Sequence, residues 1–266
     1  MVDAHVASVS DPRALRRARI DAAAAVVGSA VFGAVLTSRA PAELPARVFA
    51  GAAGLAFVAS AALSILRRQP SFSTIADRVT LFRCVLAGGC TTLVALSFLG
   101  ALPMRSWPLV FVAVPTLLLD AVDGRVARRK RCASVQGAQL DMEVDAALLL
   151  VLSVPAAATV GPWVLVIGAM RYLFIAATWW RPALRQPLRF SRFRKAVGGV
   201  QGAALVFGLA PVVPLAAATG VLLGALALLV FSFGRDIWEL ERKYRGAAAA
   251  HSSNRPPHQH ESPEPG

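Results

Sequence analysis

LVFVAVPTLLLDAVDGRVARRKRCASVQGAQLDMEVDAALLLVLSVPAAATV, residues 109–160, decides how the rest of the chain is read. Two apolar runs flank a short basic segment, with acids where each run meets it. Between Asp77 and Asp236 the only acidic residues are Asp120, Asp123, Asp141, Glu143 and Asp145. Ionisable groups at membrane depth are costly, which makes them a functional-site hypothesis by default. Asp120 and Asp123 are three apart and share one helical face; Asp141 and Asp145 are four apart and share another, with Gly137 one turn earlier on the same stripe. Glu143 lies two residues from each and points away, as a solvated headgroup-level charge would. The segment from Gly124 to Gly137 is short enough to bring the two helix ends together. Converging carboxylates repel one another unless protons or cations offset the charge. Ligation by oxygen alone suits Mg²⁺ or Mn²⁺.

Working outward, the whole chain is oily. Of its 266 residues 56% are hydrophobic and 16% charged, with a mean hydropathy of +0.58. A soluble domain sits near half apolar and roughly a quarter charged. Strand alternation is absent, so the expectation is an all-α, polytopic membrane bundle. About eight apolar runs are long enough to span, centred near Val27, Phe57, Val94, Val112, Leu150, Leu165, Val206 and Ala225. Pro211 and Pro214 mark a tight outer turn between the last two. Ser71 to Asp77 reads as a short interfacial helix, and the stretch from about Gly246 to Gly266 as a disordered tail.

The net charge of +13 does not point to nucleic acid, because Lys and Arg cluster between the apolar runs. Arg13, Arg16, Arg17 and Arg19 precede the first run, and Arg67, Arg68 and Arg78 follow the second. Further clusters follow the fourth, sixth and eighth, whereas the alternate loops hold only Arg39, Arg47 and Arg105. The positive-inside rule then places both termini and the acid cluster on the cytoplasmic side of a bacterial-type membrane. Ala40-Pro41-Ala42 loosely resembles a signal-peptide cleavage site, but the long, acid-containing segment before it argues against one. Cys84, Cys90 and Cys132 form neither a disulfide framework nor a zinc motif. The histidines, His5, His251, His258 and His260, lie in the terminal tails. Any proton acceptor in the core must therefore be a carboxylate or, as the weaker candidate, a lysine.

Small and basic residues are interleaved with the acids. Gly124, Ala127 and Gly137 leave room for a ligand to approach the backbone, and Arg128 can pair with a phosphate. Together they describe a metal-bridged diphosphate site. Asp120-Ala-Val-Asp123-Gly124-Arg-Val-Ala127-Arg128, eight residues, Gly137, three residues, Asp141, three residues, Asp145 resembles the signature of the CDP-alcohol phosphatidyltransferases at every position. The resemblance covers residues 71–245, the last six runs, and leaves residues 1–70 as a tail and two accessory helices. It implies that Asp120, Asp123, Asp141 and Asp145 surround two divalent ions. It implies further that Gly124, Arg128 and Gly137 contact nucleotide and phosphate, and that Asp145 takes the proton of the acceptor hydroxyl. A phosphatidyl or phospho-alcohol group would pass from a CDP-linked donor, CDP-diacylglycerol as first choice, to an alcohol acceptor, releasing CMP.

Asp77-Arg-Val-Thr80-Leu-Phe-Arg83 is similar to the start of the family's first core helix, with Asp77 where Asn is common. Asp77, Thr80 and Arg83 are thereby candidate substrate contacts. The plainer alternative makes Asp77 an N-cap and Arg83 a snorkelling side chain. Arg171, inside the sixth run, should face a polar cavity or an acid. With Arg194 and Lys195 it would favour a phosphorylated acceptor such as glycerol or inositol phosphate. The alternatives for Arg171 and for the Arg194–Lys195 pair are a structural partner of the acids and contact with anionic lipid. The implied partners are thus the donor lipid, the alcohol and the bilayer, with a homodimer as a candidate assembly. Other readings of the acids are a divalent-cation transporter, an intramembrane prenyltransferase and a catalytically silent homologue. The first predicts mid-membrane carboxylates on several helices, and the second predicts acidic motifs far apart in sequence.

Overall fold

A computed structural model describes residues 12–67, 75–130, 135–180 and 192–253. The described residues form eight long helices and one 3-10 turn: α1 (Pro12–Ser38), α2 (Leu44–Leu66), α3 (Ile75–Phe98), α4 (Trp107–Lys130), α5 (Val135–Val160), the turn Pro162–Val164, α6 (Leu165–Trp180), α7 (Arg192–Leu209) and α8 (Leu215–Ser253). Helix is the form that satisfies every backbone group within one segment, as a hydrocarbon solvent demands. Many large apolar side chains point outward, Phe49, Phe111, Leu173 and Phe231 among them. Such a surface suits lipid rather than water, and the chain is an integral membrane protein.

Among the described residues six helical segments are long and apolar enough to cross a membrane, judged by length and composition. Two more helices, α4 and α7, carry apolar stretches over Trp107–Leu119 and Ala196–Leu209. In sequence, α4 continues past its apolar stretch with Asp120, and α7 opens with Arg192, Arg194 and Lys195. Leu165, taken as the centre of a run, is instead the first residue of α6, because Gly161 (φ 144°) and Pro162 break the helix there. Ile75 to Asp77 form the first turn of α3 rather than a separate interfacial helix; residues 71–74 lie outside the described residues. Helix α8 runs on to Ser253, past Gly246, since Ala247 to Ala250 are strong helix formers.

α1 and α2 pack together on α3, the central element of the bundle. Close approach requires small residues where helices cross without a hydrophobic drive between them. At the α2–α3 crossing Gly54 faces Gly88: a Cβ on Gly54 would sit 2.5 Å from the Gly88 carbonyl oxygen, and one on Gly88 would sit 2.8 Å from that of Gly54. Gly168 serves α6 against α5, and Gly202 admits Leu117 between α7 and α4. The main core is built around Leu93, Leu96, Leu109, Leu152, Leu205 and Leu222. A smaller cluster joins Ala18 of α1 and Val58 and Ile65 of α2 to Leu81 and Cys84 of α3 and Val144 of α5.

Two arginines at the expected outer face serve structural ends. Arg47 donates to the Ala40 carbonyl at 3.1 Å, closing the α1–α2 turn. Arg105 donates to the carbonyls of Ala210 (2.6 Å) and Val213, clasping the Pro211–Pro214 turn to the α3–α4 loop. Gly100 (φ 76°) ends α3 with the paired bonds Ala101 N–H to Leu96 O and Gly100 N–H to Ser97 O, a Schellman cap.

Gly54→Ala should destabilise the protein by about 1–3 kcal/mol through overpacking against backbone. Gly51→Ala, where a Cβ meets nothing within 4 Å, should be neutral or slightly stabilising. Thermal unfolding of the two variants in detergent checks the contrast, and equal effects would place the α2–α3 crossing elsewhere.

Candidate active site

The described half of the acid cluster sits on α5. Gly137, Asp141 and Asp145 follow one another along a single stripe of that helix, as their spacing requires. Asp141 and Asp145 are drawn together by Arg83 of α3. Its Nη2 lies 2.5 Å from Asp141 Oδ1, and its Nη1 lies 3.1 Å from Asp145 Oδ1. Nη2 also reaches the Asp141 carbonyl at 3.4 Å. The Arg83 side chain is 1% exposed, whereas those of Asp141 and Asp145 are 30% and 36% exposed. The guanidinium therefore approaches from the protein interior, and the carboxylates keep an open side. A charge this deeply buried persists only when paired, and here one fork meets two acids.

This geometry corrects the snorkelling alternative for Arg83, whose position on α3 is buried between α5 and the α1–α2 pair. It also corrects the N-cap alternative for Asp77. With α3 beginning at Ile75, Asp77 lies inside the first turn, where its charge complements the helix N-terminus. Asp77 (2% exposed) and Thr80 (6%) are both buried on the same helix as Arg83. Arg78 turns outward and pairs at 3.0 Å with Asp21 of α1, tying the first helix to the third.

Asp120, Asp123, Gly124, Ala127 and Arg128 belong to α4, directly after its apolar part, and Arg194 and Lys195 to the first turn of α7. The contacts of their side chains lie outside the described residues. Among the described residues no three His, Cys, Asp or Glu side chains form a metal-holding group. Asp141 and Asp145 are the described members of the expected ligand set. Two carboxylates, partly exposed and held side by side, form an oxygen donor pair that fits a hard divalent cation. Glu143 points away as expected: it is exposed and accepts from Gln139 Nε2 at 3.2 Å. Arg171 Nη1 lies 3.2 Å from Met142 Sδ, beside the acid-bearing turn of α5.

A sequence profile of the CDP-alcohol phosphatidyltransferases matches residues 73–232. The chain belongs to this family. No curated protein and no solved structure matches it. The match begins at the start of α3 and ends within α8, so α1 and α2 precede the family region. As a CDP-alcohol phosphatidyltransferase, the chain is assigned to phosphatidyl transfer from a CDP-linked alcohol, a reaction in which the family uses divalent metals.

The role of Arg83 as the clamp on the α5 acids is the feature that sequence reasoning missed. Its signal was present. A lone arginine several residues into an apolar helix must find acid on a neighbour, and Asp141 and Asp145 were the acids in reach.

Asp141→Ala should lower the stability of metal-free protein by about 2–3 kcal/mol, because it leaves the buried guanidinium half-paired. Glu143→Ala should change it by no more than about 0.5 kcal/mol. Thermal unfolding in a chelator checks this, and equal shifts would show that the Arg83–Asp141 pair contributes nothing.

Proposed function

We propose that the chain transfers a phosphatidyl group from CDP-diacylglycerol to a phosphorylated alcohol, such as glycerol or inositol phosphate, at the cytoplasmic face of a bacterial-type membrane. The observation that carries this reading is the complete acid, glycine and arginine signature, with its α5 carboxylates held as a pair. Asp120, Asp123, Asp141 and Asp145 would hold two ions, Mg²⁺ or Mn²⁺. When bound, these ions supply charge neutralisation for the diphosphate.

The remaining chemistry belongs to the side chains. Arg128 pairs with a phosphate oxygen of the donor, and Gly124, Ala127 and Gly137 let the nucleotide approach the helix backbones. Asp77 and Thr80 line the donor side at the start of α3. Asp145 accepts the proton of the acceptor hydroxyl as its oxygen attacks the phosphorus distal to cytidine. The bond from that phosphorus to the bridging oxygen breaks, and CMP departs with the electron pair. A carboxylate base fits a chain whose histidines all lie in its terminal tails. Arg171, Arg194 and Lys195 supply positive charge for the phosphate of the acceptor. The even number of long helices and the basic clusters support a cytoplasmic position for both termini.

Purified protein incubated with CDP-diacylglycerol, Mn²⁺ or Mg²⁺ and a panel of alcohols should release CMP and form a new lipid with a phosphorylated acceptor. Asp145→Asn should lower turnover by at least about 10²-fold while donor binding persists. Arg128→Ala should weaken donor binding by roughly tenfold. Inactivity with every CDP-linked donor, or metal flux without CMP release, would overturn the proposal.

A further inference from the structure

We infer that Arg83 is a positioning residue for the metal-binding acids: its buried fork holds Asp141 and Asp145 from the interior and presents their open side to a divalent ion. The inference rests on the metal-site reading above and assigns Arg83 a role in it distinct from substrate contact. Three observations carry it. Nη1 and Nη2 reach one oxygen of each carboxylate, at 3.1 and 2.5 Å, so one planar group sets the spacing of two acids a helical turn apart. The difference in exposure, 1% against 30% and 36%, puts the cation behind the acids rather than between them and solvent. The flanking residues Leu81 and Cys84 are sealed by Ala18 of α1 and by Val58 and Ile65 of α2. The stretch of α3 that carries Arg83 is thus packed on its flanks, in keeping with the burial of Arg83 itself.

Without the fork, the two carboxylates would repel one another and separate. Lysine at this position keeps the charge but not the planar pair of donors. Outer partners that orient metal ligands typically govern affinity by 10–100-fold. A group that merely filled space, or that competed with the ion for the acids, would not act in this direction.

The test is Mn²⁺ affinity, read from the electron paramagnetic resonance signal of free Mn²⁺ titrated into the purified full-length protein, with thermal unfolding and CMP release followed in parallel. Arg83→Lys should raise the Mn²⁺ Kd by roughly 10–100-fold. An unchanged Kd, whatever happens to the unfolding temperature, would make Arg83 purely structural and overturn the inference. Tighter binding would overturn it as well, by making Arg83 a competitor. Should Arg83→Lys not fold, Arg83→Gln combined with Asp145→Asn removes one charge of each sign from the pair. That double variant should bind Mn²⁺ roughly tenfold more weakly than Asp145→Asn alone, because Asp141 has lost its anchor; equal affinities would again sink the role. Failure of the underlying metal-site reading looks different: wild-type protein would then bind no Mn²⁺ and release no CMP.

Discussion

A guanidinium buried inside a membrane bundle must be matched by anions on neighbouring helices, and that requirement organises the end of the bundle that carries the α5 acids. Arg83 sits on α3, is 0% exposed, and takes its partners from two successive turns of α5. The penalty for an unpaired charge in such surroundings is several kcal/mol. α3 and α5 are therefore locked in both register and rotation by a contact that polar chemistry, rather than lipid, enforces. The same contact fixes the acids themselves. Two like charges one turn apart on a helix would otherwise spread, and a spread pair makes a poor site for a hard cation.

The rest of the fold supports this arrangement. Glycines at the α2–α3 crossing let two backbones approach closely enough for Val58 and Ile65 to close the wall beside Arg83. The Asp21–Arg78 pair fastens α1 to the same helix, one turn before the clamp. α1 and α2 lie outside the family region, yet they pack against the stretch of α3 that carries the central arginine. At the opposite end Arg47 and Arg105 bind turn carbonyls. These outer arginines contribute to turn closure, which accounts for cations on the side that the charge asymmetry leaves sparse.

Much of this was legible in the sequence because the signals were strong and local. Long apolar runs, a proline pair at Pro211 and Pro214, and acids spaced by three and four residues translate directly into helices, a turn and shared faces. Less legible were features set by contacts between helices. The rule that a lone arginine in an apolar run seeks an acid was applied to Arg171, whose Nη1 lies against the Met142 sulfur, one residue along α5 from Asp141. It holds for Arg83, whose partners lie 58 residues away or more. Nothing in the periodicity of either helix encodes which of two arginines comes to face the α5 acids.

Family membership fixes the class of reaction, and the clamp on α5 supplies a physical reason why these acids can serve as metal ligands. The central claim is that they bind divalent ions together with a nucleotide diphosphate, and Mn²⁺ electron paramagnetic resonance with and without a CDP-linked lipid tests it most directly. Two Mn²⁺ per chain with spin–spin coupling, strengthened by the CDP-linked lipid and lost in Asp141→Asn, is the predicted result. Mn²⁺ binding that is absent, or indifferent to both the lipid and Asp141, would contradict the account.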